Sequence, residues 1–139
     1  MTLELLDTSV WWIKERLPDL RAQVEEGLDA GCVATCAQVK LELLYSARTA
    51  RELRETRAEL DLLEQCPIGP EEWERALDVY ERLAVRGGGH QRSVAHGDLL
   101  IAAAAESAGA TVVHYDRDYD AIARITGQPV RWAAPRGSL

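Results

Sequence analysis

Short apolar runs alternate with long helix-periodic stretches along this chain, and that alternation constrains the fold more than any other feature. "LELLD" (3–7), "CVAT" (32–35), "ATVVHY" (110–115) and "PVRWA" (129–133) read as strands. Between the first two, residues 8–31 give two helical pieces around Pro18, closed by Gly31. Residues 37–65 are helical with a break near Thr49. Residues 70–87 form a helix with Pro70 at its start, two acids in its first turn and glycines after its end. An alanine-rich helix over 96–109 is closed by Gly109, and a last helix covers 118–127. "CPIG" (66–69) reads as a strand-like connector and "GGGHQRS" (87–93) as a flexible loop. Strands alternating with helices imply β-α-β units and a parallel sheet. The expectation is an α/β domain of about five strands sandwiched by helices. The 139 residues argue for one domain, 1–139.

In such sheets ligands sit outside the carboxyl ends of the strands, so the acids found there matter. Asp7 follows the first strand and Asp116 the fourth. Asp98 lies in the first turn of the alanine-rich helix, and Glu42 sits among leucines in "VKLELLYSA". In "TVVHYDRDYDAIA" (111–123), Asp118 and Asp120 follow Asp116 closely, with Asp120 expected to face out from the last helix. Taken singly, each acid is as well explained by a solvated surface or a helix dipole. Taken together, four or five carboxylates at one sheet edge cannot all stay ionised without a cation. Oxygen ligands without convergent histidine or cysteine select magnesium or manganese. One or two such ions can activate a water and stabilise the leaving oxygen of a phosphodiester.

Four motifs run in order along the chain: "LLDTSV" (5–10), "ELLYSAR" (42–48), "HGDLLIAAAA" (96–105) and "HYDRDYDAIA" (114–123). The sequence resembles the PIN-domain ribonucleases, and most of all the VapC toxins of bacterial VapBC toxin–antitoxin pairs. By that resemblance Asp7, Glu42, Asp98 and Asp116 match the family's acidic quartet, and Asp118 matches a further acid lining the pocket. Thr8 and Ser9 match hydroxyl positions implied to hold a metal-bound water. The resemblance implies Mg²⁺- or Mn²⁺-dependent cleavage of RNA that leaves a 5′-phosphate and a 3′-hydroxyl. It also implies a VapB-type antitoxin and a toxin homodimer. Single-stranded loops of transfer or ribosomal RNA are the favoured substrates, because their bases are open to recognition.

The net charge of −7 argues against a basic nucleic-acid surface, an objection that weakens if the acids are gathered in a metal pocket. Three cysteines without a C-x-x-C pair argue against a disulfide scaffold and for a reducing cytosol, which the resemblance implies is the bacterial cytoplasm. Cys32 and Cys36 lack the further ligands of a zinc site. The N-terminus has no basic region followed by an apolar core, so no signal peptide and no membrane role are expected. An EF-hand reading of 116–127 fails because its sixth position is Ala121 and its twelfth Gly127. A phosphoacceptor domain calls for a late lysine, and none follows Lys40. A PIN-like binding module that does not cut remains the open alternative. Arg48, Arg51, Arg54 and Arg57 read as a solvated helix face with pairs such as Arg51–Glu55. His96 is a candidate to cap its helix or orient Asp98, and His114 is read as a packed histidine.

Overall fold

The structure, a computed structural model, describes residues 2–139. Five parallel strands make one sheet: β1 (Glu4–Leu6), β2 (Val33–Thr35), β3 (Glu64–Gln65), β4 (Thr111–His114) and β5 (Val130–Trp132), in the order β3-β2-β1-β4-β5. Helices α1 (Thr8–Ile13) and α2 (Pro18–Asp29), with a 3₁₀ turn at Lys14–Arg16 between them, connect β1 to β2. Helices α3 (Ala37–Leu44) and α4 (Ala50–Leu60) lead to β3. Helices α5 (Pro70–Val85), α6 (His90–Ser93) and α7 (His96–Ala108) lead to β4, and α8 (Asp118–Thr126) leads to β5.

The strands show why the sheet is sandwiched. Successive strand residues face opposite ways. Leu5 and Val112 join one core cluster with Ile101, Tyr119 and Ile122, while Leu6, Val33 and Val113 join a second with Val10, Leu20 and Val24. Both faces are therefore apolar, as a parallel sheet requires. At the centre, β1 pairs with β2 on one side and β4 on the other, so the chain reverses direction of travel between β1 and β4. That switch point opens a crevice at the carboxyl ends of the two strands.

Helix α7 runs through the middle of the larger core. Leu99 to Ala105 are all buried, which suits a helix that is apolar on every side. Its alanines carry no bulk, so α5, α3, α8 and β4 all pack closely against it.

Three details depart from the expectations drawn from sequence. The third strand falls on Glu64–Gln65 and not on 66–69, because Pro67 has no N–H to extend the ladder beyond the Cys66 N–H bond to Thr35 O at 2.8 Å. The segment 87–93 holds the short helix α6. Gly87, Gly88 and Gly89 all adopt positive φ, of 78°, 67° and 72°. A left-handed run of that kind costs other residues about 1–2 kcal/mol each, so the glycines make a definite turn. His96 neither caps α7 nor meets Asp98 by a hydrogen bond; its ring packs edge-on against Tyr80, centroids 5.4 Å apart. The break in 37–65 stands as expected, with Thr49 Oγ1 accepting the Glu52 N–H at 3.0 Å as the cap of α4. The arginine stripe on α4 is exposed and pairs locally, Arg51 with Glu55 at 3.0 Å. Among the described residues, no helix is long and apolar enough to cross a membrane.

Close packing at α7 makes a direct prediction. Ala104 is fully buried where two layers meet, so Ala104→Leu is expected to cost roughly 1–3 kcal/mol by overpacking. Urea unfolding monitored by circular dichroism measures it.

Candidate metal centre

The crevice between β1 and β4 collects the acids. Asp7 follows β1 directly and its N–H donates to Val113 O at 2.9 Å, which locks it beside β4. Its carboxylate also caps α1: Oδ2 accepts from the Ser9 N–H at 3.2 Å and from Ser9 Oγ at 2.6 Å. Asp116 lies two residues beyond β4, and its Oδ1 accepts the Asp118 N–H at 2.9 Å at the start of α8. Asp118 Oδ2 in turn accepts the Ala95 N–H at 3.4 Å, tying α8 to the entry of α7. Asp98, one turn into α7, points into the same space.

Asp98, Asp116 and Asp118 each offer one carboxylate oxygen to a group whose atoms all lie within 4.8 Å of one another. Asp98 Oδ2 is buried and has no hydrogen-bond partner. An unsatisfied buried oxygen is costly, and a hard cation satisfies it together with the neighbouring acids. The donor set fits magnesium or manganese: all oxygen, all carboxylate. Burial, reinforced by the charges of Asp7 and Asp116, pushes the Asp98 carboxyl up to about 8. Burial and the Asp116 charge also raise Asp118. The metal-free site thus handles its repulsion by keeping a proton.

Asp7 and Glu42 are held at the flanks of this group. Tyr119, fully buried on the inner face of α8, donates its hydroxyl to Asp7 Oδ1 at 2.6 Å, and the same oxygen lies 3.2 Å from Asp98 Oδ1. One hydroxyl has one proton, and the shorter contact directs it to Asp7, with Asp98 as its alternative acceptor. Glu42 Oε1 accepts from Thr8 Oγ1 at 2.6 Å, and Oε2 from Gln38 Nε2 at 2.6 Å. It reaches the entry of α7 because residue 97 is glycine; a Cβ there would stand 2.6 Å from Glu42 Oε2 and 2.9 Å from Gln38 Nε2. The hydroxyls of Thr8 and Ser9 are therefore both engaged with carboxylates. Asp120 does not face out as expected. It accepts from Trp132 Nε1 at 3.1 Å, and its Oδ1 lies 4.0 Å from the His114 ring. His114 is packed, as its sequence position suggested: fully buried, kept neutral by that burial, and accepting the Asp116 N–H on Nδ1 at 3.1 Å.

Sequence reading missed Tyr119 and Gln38. A signal for Tyr119 existed. It stands three residues before Ile122 on the inward face of α8, and a buried tyrosine needs a partner for its hydroxyl. Gln38 is one turn before Glu42 on α3, a spacing that by itself says nothing.

Residues 5–125 match the family model described as the PIN domain. Ribonuclease VapC18 of Mycobacterium tuberculosis is 45% identical over 134 residues, spanning 96% of this chain and 97% of its own. Ribonuclease VapC51 of the same organism is 41% identical over 135 residues, spanning 97% and 96%. Among solved structures, the DNA-bound VapBC of Salmonella typhimurium superposes with a TM-score of 0.72 at 22% identity, covering 96% of this chain and 100% of that one, a likeness of fold.

Two outcomes follow from the acid geometry. Asp98 holds its proton in the folded state up to about pH 8 and loses it in the unfolded state near pH 4. Between those values the folded state binds more protons, so stability declines as pH rises. In chelator, the melting temperature is expected to fall by roughly 5 °C per unit between about pH 6 and 8, and Asp98→Asn to flatten that slope. For Tyr119→Phe, loss of the donor to Asp7 is expected to cost about 1–3 kcal/mol in the metal-free chain. Manganese should restore much of that loss, which thermal unfolding with and without Mn²⁺ detects.

Proposed function

The chain belongs to the PIN-domain family and within it to the VapC ribonucleases, and from that premise we propose that it is the toxin of a type II VapBC toxin–antitoxin pair, an endoribonuclease that hydrolyses RNA phosphodiester bonds. The observation that carries the proposal is the convergence of Asp98, Asp116 and Asp118 around an unpartnered buried carboxylate oxygen. The proposed domain spans residues 1–139 and acts in the bacterial cytoplasm.

Asp7, Glu42, Asp98 and Asp116 hold one or two Mg²⁺ or Mn²⁺ ions, with Asp118 assisting. The bound cation supplies Lewis acidity that lowers the pKa of water and stabilises the leaving oxygen of the phosphodiester. The chain's own residues prepare that site. Ser9 and Tyr119 fix both oxygens of Asp7. Thr8 and Gln38 fix both oxygens of Glu42. Thr8 and Ser9 thus act as auxiliary residues that orient acids. Asp98 would have to give up its proton to ligate a cation, and the ion's charge would then offset the repulsion that the proton offsets otherwise. Fixing ligands before substrate binds is what lets such a site work without reorganisation at the moment of reaction.

The proposed partners are an RNA strand, single-stranded in a transfer- or ribosomal-RNA loop, a VapB-type antitoxin and a second copy of the chain. VapBC complexes bound to DNA are known from Salmonella typhimurium and Rickettsia felis.

The test is RNA cleavage by the purified chain in Mg²⁺, in Mn²⁺ and in chelator, beside Asp98→Asn. Cleavage is expected only with metal, and to fall about 100-fold or more in the variant, with an unchanged circular dichroism spectrum. Equal cutting by the variant, or cutting in chelator, removes the acid cluster from the reaction. A folded, antitoxin-free chain that cuts no RNA under either metal returns the reading to a non-catalytic binding module.

A further inference from the structure

Beside the acid cluster lies a groove of the opposite charge. We infer that it binds the phosphodiester backbone of the RNA strand next to the bond that is cut, an assignment that rests on the ribonuclease reading above. Arg117, Arg124 and Arg136, with His90 and Ser93, line a groove of about 320 Å³ whose rim includes Asp118. Asp118 also belongs to the acid cluster, so the groove and the candidate metal centre share that residue as neighbours.

Of the fourteen arginines in this acidic chain, six are matched to acids among the described residues and eight are not, and the three in the groove belong to the second set. Arg21, Arg51, Arg57, Arg75, Arg82 and Arg131 each stand within 4 Å of a carboxylate. Among the described residues, Arg117, Arg124 and Arg136 have no such partner, although Asp118 and Asp120 line the same groove. Asp118 faces the acid cluster, and Asp120 is engaged with Trp132 and His114. The positive charge is thus left for a ligand.

The groove is also built. Arg117 and Arg124 are seven residues apart, two helical turns, so they share one face of α8 with Ala121 between them. Arg136 comes from the C-terminal segment, where its guanidinium lies 5.5 Å above the Trp132 ring. That segment is tied back by the Leu139 N–H, which donates to the Tyr115 hydroxyl at 3.0 Å. Opposite stands α6, set by the left-handed glycine turn before it. Guanidinium groups bind phosphate oxygens in a planar fork. A row of them without base-reading amides favours backbone over sequence. The acids in the rim disfavour a carboxylate-rich peptide less than they would if they were free, which makes such a peptide the rival occupant.

The test compares the chain carrying Asp98→Asn, which prevents turnover, with the same chain carrying R117Q, R124Q and R136Q. The probe is a fluorescein-labelled mixed-sequence single-stranded RNA of about twelve nucleotides, read by anisotropy over a range of salt. A parallel titration uses a labelled oligoglutamate. Loss of three phosphate contacts is expected to lower the slope of log K against log salt by about 2, and to weaken binding alike for different RNA sequences. R16Q with R54Q, exposed arginines elsewhere, should leave the slope alone. Equal affinity and slope in the triple variant overturn the groove assignment, as does loss of oligoglutamate binding with RNA binding intact. If cleavage by the unsubstituted chain depends on metal while the triple variant still binds RNA unchanged, the groove alone fails. If the parent binds no RNA, the groove assignment fails, and the ribonuclease reading is decided separately by the metal-dependent cleavage assay. Manganese binding, followed by calorimetry in the chain with native Asp98 and in that chain carrying only R117Q, R124Q and R136Q, should match, separating a lost phosphate site from a collapsed acid cluster.

Discussion

Carboxylates crowded at the carboxyl edge of β1 and β4 repel one another, and the surrounding structure is arranged to hold them there nonetheless. Backbone pairing fixes the strand ends: the Asp7 N–H is tied to Val113 O, and Asp116 sits just past β4. The repulsion is then divided among different partners. Asp7 is neutralised in part by the dipole and N–H of α1, Asp116 caps α8, and Asp98 retains a proton. A fixed site of this kind stores unfavourable charge interaction that a bound cation would relieve.

The rest of the fold serves that arrangement at short range. Alanines on α7 let the helix run through the core while its first turn carries Asp98 into the crevice. Gly97 leaves space through which Glu42 reaches the same crevice from α3. Tyr119 crosses from α8 to join Asp7 and Asp98 by one oxygen. Helices α3 and α8 are far apart in sequence, yet both bring their side chains to this site by packing on α7. Misplacing one ligand by an ångström would cost far more in rate than in stability.

Charge is also partitioned by location. A net charge of −7 would repel a polyanion uniformly if it were spread evenly. Instead, six of the fourteen arginines are matched to nearby acids, while Arg117, Arg124 and Arg136 gather beside the acid cluster. Net charge therefore says little about what the working edge of the sheet attracts.

The alternation of apolar runs with helices was enough to read a parallel α/β sheet, because strand periodicity and helix capping are local properties of the chain. Asp7 and Asp116 were legible as candidates for the same reason: any acid just after a parallel strand is delivered to one edge. Glu42 and Asp98 were legible only as members of an ordered set of motifs, since each by itself suits a solvated helix. What sequence could not decide depended on which surfaces meet. Whether Asp120 turns outward or bonds to Trp132 is settled by β5 packing over α8, and whether Arg136 joins Arg117 by the return of the C-terminal segment. The chain order fixes which acids arrive at the edge; only tertiary packing brings a tyrosine hydroxyl to Asp7 and leaves one oxygen of Asp98 without a partner, because those contacts join elements up to 112 residues apart.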